Sequence, residues 1–175
     1  MDWNAAAPAA IIGAVVATIG VFLVEMWLKP QLARARVARI LAVELRLNIR
    51  LFDLALEHRQ TKPDLVSESF QLSLRAWDAA ADELHYLPES ALRPLLLVYN
   101  QFREVNELVA AHSRKGDLIL QLEGGVQTKV LFQEFQDNAR LFGELLVNVR
   151  QQCERTLPHL DRIIEASLPT VAPDE

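Results

Sequence analysis

The chain has 175 residues, one cysteine, 51% apolar residues and a net charge of −5. That length suits one domain of ordinary size, and a lone cysteine excludes both an internal disulfide framework and a cysteine zinc site. Residues 1–50 carry six Lys or Arg against three acids and the remainder carries twelve against twenty, which argues against a nucleic-acid partner and places the basic excess where a membrane would meet it.

Residues 1–4 read as a short tail. From Ala5 to Val24 no side chain is charged. Twenty residues make about 30 Å of helix, the thickness of a bilayer's hydrocarbon core. Nine strongly apolar residues in this run contribute roughly −3 to −5 kcal/mol on an insertion scale. Trp3 and Trp27 bracket the run, about 36 Å apart along a helix, as interfacial aromatics do. An export signal wants basic residues before its apolar run, and here only Asp2 precedes it. A buried helix of a soluble protein would show a polar stripe, and none is present. Residues 5–28 are therefore expected to span a membrane once.

Lys29, Arg34, Arg36 and Arg39 all follow the run. Positive residues stay inside, so the expected location is the cell inner membrane, with the N-terminus outside and residues 29–168 in the cytoplasm. Trp3, Trp27 and these four basic residues are the expected interfacial and lipid contacts. Ala6, Ala10, Gly13, Ala17 and Gly20 recur at spacings of four and three, which puts small residues on one helix face and suits close packing against another membrane helix.

Pro30 is expected to kink or restart the helix at the membrane surface. Beyond it, helical periodicity predicts a helix over residues 31–58, with Val37, Ile40, Leu41, Leu47, Leu51, Phe52 and Ala55 on its apolar face. A loop follows around Pro63. Phe70, Leu74, Trp77, Ala81 and Leu84 repeat at four and three and predict a second helix over 67–87, capped by Ser67. A third helix is expected over 89–114, bent by Pro94, and a last one over 129–157, capped by Thr128 and bent by Pro158, with "LDRIIEAS" open to continuing it for one or two turns. Residues 116–127 contain Gly116, Gly124 and Gly125 and take no assignment from sequence. Residues 169–175 read as a flexible tail. The expected fold is all-α: a single N-terminal transmembrane helix followed by an antiparallel four-helix-bundle-like cytoplasmic domain.

Glu44, Asn48, Asn106 and Asn138 fall on or near apolar helix faces, and Tyr99 can join them. Buried polar groups must find partners or cost about 1–3 kcal/mol each, so some of these five residues are expected to meet in the interior. Such a network fixes helix register, as buried Asn does in coiled coils; a small-molecule or metal pocket is the competing reading.

Enzyme signatures are weak. Di-iron bundles use paired Glu-x-x-His units, and none of the four histidines has Glu three residues before it. Asp82 and His85 come nearest and stand alone. No Gly-x-Ser-x-Gly or phosphate-cradling loop is present. Cys153 lies in an apolar stripe and reads as a buried thiol. No cofactor or metal is expected. The expected function is that of a non-enzymatic, membrane-anchored interaction or scaffold protein, an accessory subunit or self-associating component, with lipids and a protein partner or second copy as its contacts. A ligand-binding sensor or enzyme with a polar pocket inside the bundle is one alternative; an oligomerising membrane effector is another.

Overall fold

The computed structural model describes residues 16–61, 70–121 and 126–167. Trp3, Ala6, Ala10, Gly13, Ser67 and both chain ends lie outside the described residues. Within them the chain is helical almost throughout and has no strand. Residues 16–23 are helical and pass through a wide π-type turn, Val24–Leu28, into helix α1, Lys29–Thr61. A short helix α2, Arg75–Ala79, and a 3₁₀ segment, Ala81–Tyr86, follow. The long helices α3, Glu89–Gln121, and α4, Val126–Ala166, complete the body.

The wide turn answers a local problem. Pro30 has no N–H to give Met26, four residues back, and its ring crowds that carbonyl. The helix accommodates it by opening one turn earlier: the Lys29 N–H reaches five residues back to the Val24 carbonyl. One added residue per turn is the usual form of such a bulge. The helix therefore neither stops nor restarts at Pro30.

Helix α4 packs against both α1 and α3. The buried stripe of α1 is Val37, Leu41, Leu45 and Phe52; that of α3 is Leu95, Val98, Phe102, Val105 and Val109; that of α4 is Phe142, Leu146, Val149, Cys153 and Leu160. Each recurs at three, four or seven residues, one face of a helix. Ring contacts link Trp77, Tyr99, Phe102, Phe52, Phe70 and Phe142 in sequence through the core, with centroids 4.4–6.2 Å apart. At the edges, Arg46 pairs with Asp161 and Arg150 with Asp53, tying α1 to α4, and Lys115 pairs with Glu134, tying α3 to α4. These pairs are partly solvated and contribute at most about 1 kcal/mol each.

Three features depart from the sequence expectation. The helix expected over 67–87 is not continuous: residues 70–74 belong to no helix, and the short α2 and 3₁₀ segments follow. Ala81 is exposed, while Leu72 and Ala80 are buried. Polar side chains from α1 and α3 take up the backbone groups that a helix there would have used. The body thus has three long helices around a folded-in segment. Second, α3 runs on to Gln121 and α4 begins at Val126, ahead of Thr128, while its continuation past Pro158 to Ala166 is the one the sequence allows. Gly116 does not break α3; a Cβ there would stand 3.4 Å from Phe135, so it lies where the helices approach closely. Third, Ile40 and Leu47 point outward. With Val43 and Leu54 they form an exposed apolar stripe on α1.

Candidate functional site

Residues 70–74 alternate in character, with Phe70, Leu72 and Leu74 turned toward the core and Gln71 exposed. An extended chain points the N–H and C=O of successive residues to opposite sides. Here the side chains of two helices meet them. The Asn106 amide of α3 donates to Leu72 O at 3.0 Å and accepts from Leu72 N at 2.8 Å. The Asn48 amide of α1 donates to Ser73 O at 2.9 Å and accepts from Ser73 N at 3.0 Å. Each Asn thus supplies the donor–acceptor pair that a neighbouring strand would have offered. Two flanking helices hold one segment from both edges.

Glu44 lies one helical turn before Asn48. Its carboxylate accepts four hydrogen bonds: from Ser73 Oγ at 2.6 Å and Ala76 N at 2.9 Å on Oε1, and from Trp77 N at 3.2 Å and Tyr99 Oη at 2.8 Å on Oε2. Two of the donors are N–H groups that open α2, which have no partner inside so short a helix. The carboxylate of α1 therefore caps a helix it does not belong to. Burial, and next the Glu44 carboxylate, hold the Tyr99 phenol above its ordinary pKa. Tyr99 stacks on Trp77 at 4.4 Å, which fixes its ring.

Glu44, Asn48, Tyr99 and Asn106 are thus brought together around residues 72–77. Asn138 is not: it lies half-buried on α4, apart from the cluster. Sequence reasoning missed Ser73, which bonds both Asn48 and Glu44. The signal was present in the alternation of "FQLSL". It also missed two buried polar residues. Thr156 returns its hydroxyl to Gln152 O within α4. His112 stacks on Phe135 at 3.7 Å, and its Nδ1 has no hydrogen-bond partner. Burial, then Arg59 and Lys115, lower its pKa.

The donor and acceptor capacity of the cluster is directed at the chain's own backbone. Among the described residues no group of three His, Cys, Asp or Glu is placed to share a metal ion. His85 Nδ1 lies 2.8 Å from the carbonyl of Asp82, not from its carboxylate. Cys153 is buried, and burial pushes its thiol up to about 12, far from the thiolate that a nucleophile needs.

At the other end of α1 the surface is apolar. Val16, Ile19, Val21, Phe22, Leu23, Met26, Trp27 and Leu28 are all exposed, as are Ala17 and Gly20. By length and composition the helix that contains them can cross a membrane, and its most apolar window is nowhere buried against the body. The adjoining basic residues differ in their contacts. Lys29 pairs with Glu25, Arg36 pairs with Glu83 of the 3₁₀ segment, and Arg34 Nε donates to Tyr86 O at 2.9 Å. Arg39 is exposed. In comparisons with known proteins, no family model matches the chain, and no curated protein or solved structure matches it significantly.

Proposed function

We propose that this chain is a membrane-anchored interaction protein: a single N-terminal span holds a helical body at the cytoplasmic face, where it associates with another copy or with a larger membrane complex as an accessory subunit. The observation that carries the reading is the continuity of the exposed apolar helix with α1. A segment so apolar and uncovered is stable in lipid and costly in water. The helix that would cross the membrane is the helix that supplies Glu44 and Asn48, so the span and the body share one continuous helix. The basic residues that follow support an inward orientation.

The stripe of Ile40, Val43, Leu47 and Leu54 supports an interaction role. Their spacing of three, four and seven is that of a helix-pairing seam, and copies anchored by the same span would present it in parallel. Site-specific photo-cross-linking from Val43 or Leu47 in native membranes, followed by mass spectrometry, tests this. A cross-link to a second copy or to one membrane protein is expected. Recovery of the uncleaved chain from the aqueous fraction without detergent would refute the anchor, and a membrane-bound chain that cross-links only to lipid would refute the interaction role.

A further inference from the structure

At the end of the body nearest the apolar helix, the start of α1, the first turn of α3 and the end of α4 meet around an open cleft of about 290 Å³. The antiparallel course of α4 brings its C-terminal turns there. Gln31 and Arg34 come from α1, Ser90 from α3, and His159 and Arg162 from α4. Among the described residues no Asp or Glu lines the cleft. In a body where acids outnumber bases, two arginines and no acid among the described lining residues make a local reversal of sign.

The two guanidinium groups are held but not neutralised. Arg34 donates through Nε to Tyr86 O, and Arg162 through Nε to Pro158 O at 3.1 Å. One terminal nitrogen of Arg162 lies 3.5 Å from His159 Nδ1. Among the described residues neither arginine has an ion-pair partner. Both keep terminal N–H groups for an acceptor in the cleft, in the forked geometry that suits phosphate oxygens. The Ser90 hydroxyl and the N-terminal end of α3, a 33-residue helix whose dipole favours a nearby anion, complete the set.

Depth selects the source of the phosphate. Gln31 and Arg34 stand three and six residues beyond Leu28, about 4.5 and 9 Å along a helix at 1.5 Å per residue. The headgroup layer on each side of the hydrocarbon is roughly 5–8 Å thick, so Gln31 falls within it and the Arg34 backbone just beyond it, and helix side chains tilt toward the N-terminal, membrane-facing end. We propose that this cleft binds the phosphate of an anionic lipid headgroup, one lipid per chain, through Arg34 and Arg162. The proposal rests on the membrane-anchored reading above.

The full chain is reconstituted in nanodiscs of equal parts phosphatidylglycerol and phosphatidylcholine, and native mass spectrometry counts the lipids that stay bound. The wild-type chain retains one phosphatidylglycerol in preference to phosphatidylcholine. Arg162→Gln lowers that preference about fivefold, and Arg34→Gln with Arg162→Gln about thirtyfold, because each basic residue near an anionic surface contributes a factor of about five. Arg155→Gln, two turns before Arg162 in α4 and also without an ion pair among the described residues, leaves it unchanged. Should loss of the Arg34 bond to Tyr86 unfold the body, Arg162→Gln carries the test alone, since its bonds lie within its own helix. Equal retention of both lipids by wild type, or equal loss in Arg155→Gln, overturns the proposal and leaves the anchor standing. If the chain does not enter the discs, both readings fall. If millimolar inorganic phosphate binds the lipid-free chain in detergent and displaces phosphatidylglycerol, the cleft takes a free anion, and the assignment to lipid is wrong.

Discussion

Asn48 and Asn106 each hold a donor and an acceptor of a single residue, and among the described residues those four backbone groups have no other partner. Asn106→Ala leaves Leu72 N and O unpaired next to a buried side chain, at about 1–3 kcal/mol for a buried donor or acceptor. Thermal unfolding followed by circular dichroism should show that loss, and an unchanged midpoint would mean that water replaces the amide without cost. Glu44→Gln keeps the shape but turns an NH₂ toward N–H donors, so about 2–3 kcal/mol should be lost. His112 carries a pH dependence. Its pKa is lowered in the fold, so near pH 6.5 and below the unfolded chain binds the proton more readily. Stability is complete above the ordinary pKa of about 6.5 and falls as pH drops below it toward the depressed folded value. His112→Phe should flatten the unfolding midpoint across that window, and a wild-type midpoint that rises on acidification would contradict the burial of the neutral ring.

At the scale of elements, the segment over 70–87 depends on α1 and α3 for its hydrogen bonds. Glu44→Ala with Asn48→Ala removes the α1 side of that support. Hydrogen exchange should quicken at Ser73, Ala76 and Trp77 well before it does in α4, and partner capture should change less than thermal stability does; binding lost from a fully folded double variant would give this pair a role beyond structure. What the sequence reveals of these elements follows from how local each signal is. The 3.6-residue periodicity of α1, α3 and α4 is a property of each helix alone, and it shows in the placement of Leu41, Phe102 and Leu146. The polarity of Glu44, Asn48 and Asn106 against their apolar neighbours shows just as well. Their partner is not visible, because it is backbone from a distant segment and backbone leaves no mark in composition. Residues 70–84 satisfy a helical spacing at Phe70, Leu74 and Trp77 and a strand alternation at Phe70, Leu72 and Leu74 together. Tertiary hydrogen bonds from two other helices decide between them.

Over the whole molecule, Cys153 is the lone thiol and is buried in the core. It should resist a membrane-permeant maleimide in the native protein and react once the body unfolds, so pulsed labelling across a denaturant series reports global opening without any substitution; rapid labelling under native conditions would place it outside the core. The wide turn at Val24–Leu28 has a consequence for rotational phase. In an unbroken α-helix, Gly20 would share its azimuth with Ala38, eighteen residues and five turns on. Ala38 is wholly buried, so anything lying along the Gly20 side would run into the protein's own body. The additional residue in the bulge advances the azimuth by about 100° and aligns Gly20 with Arg39, which faces open solvent. Deleting one residue between Val24 and Leu28 should rewind that offset and set Gly20 and the outer flank of α1 out of line, even where length and hydrophobicity still suffice for insertion.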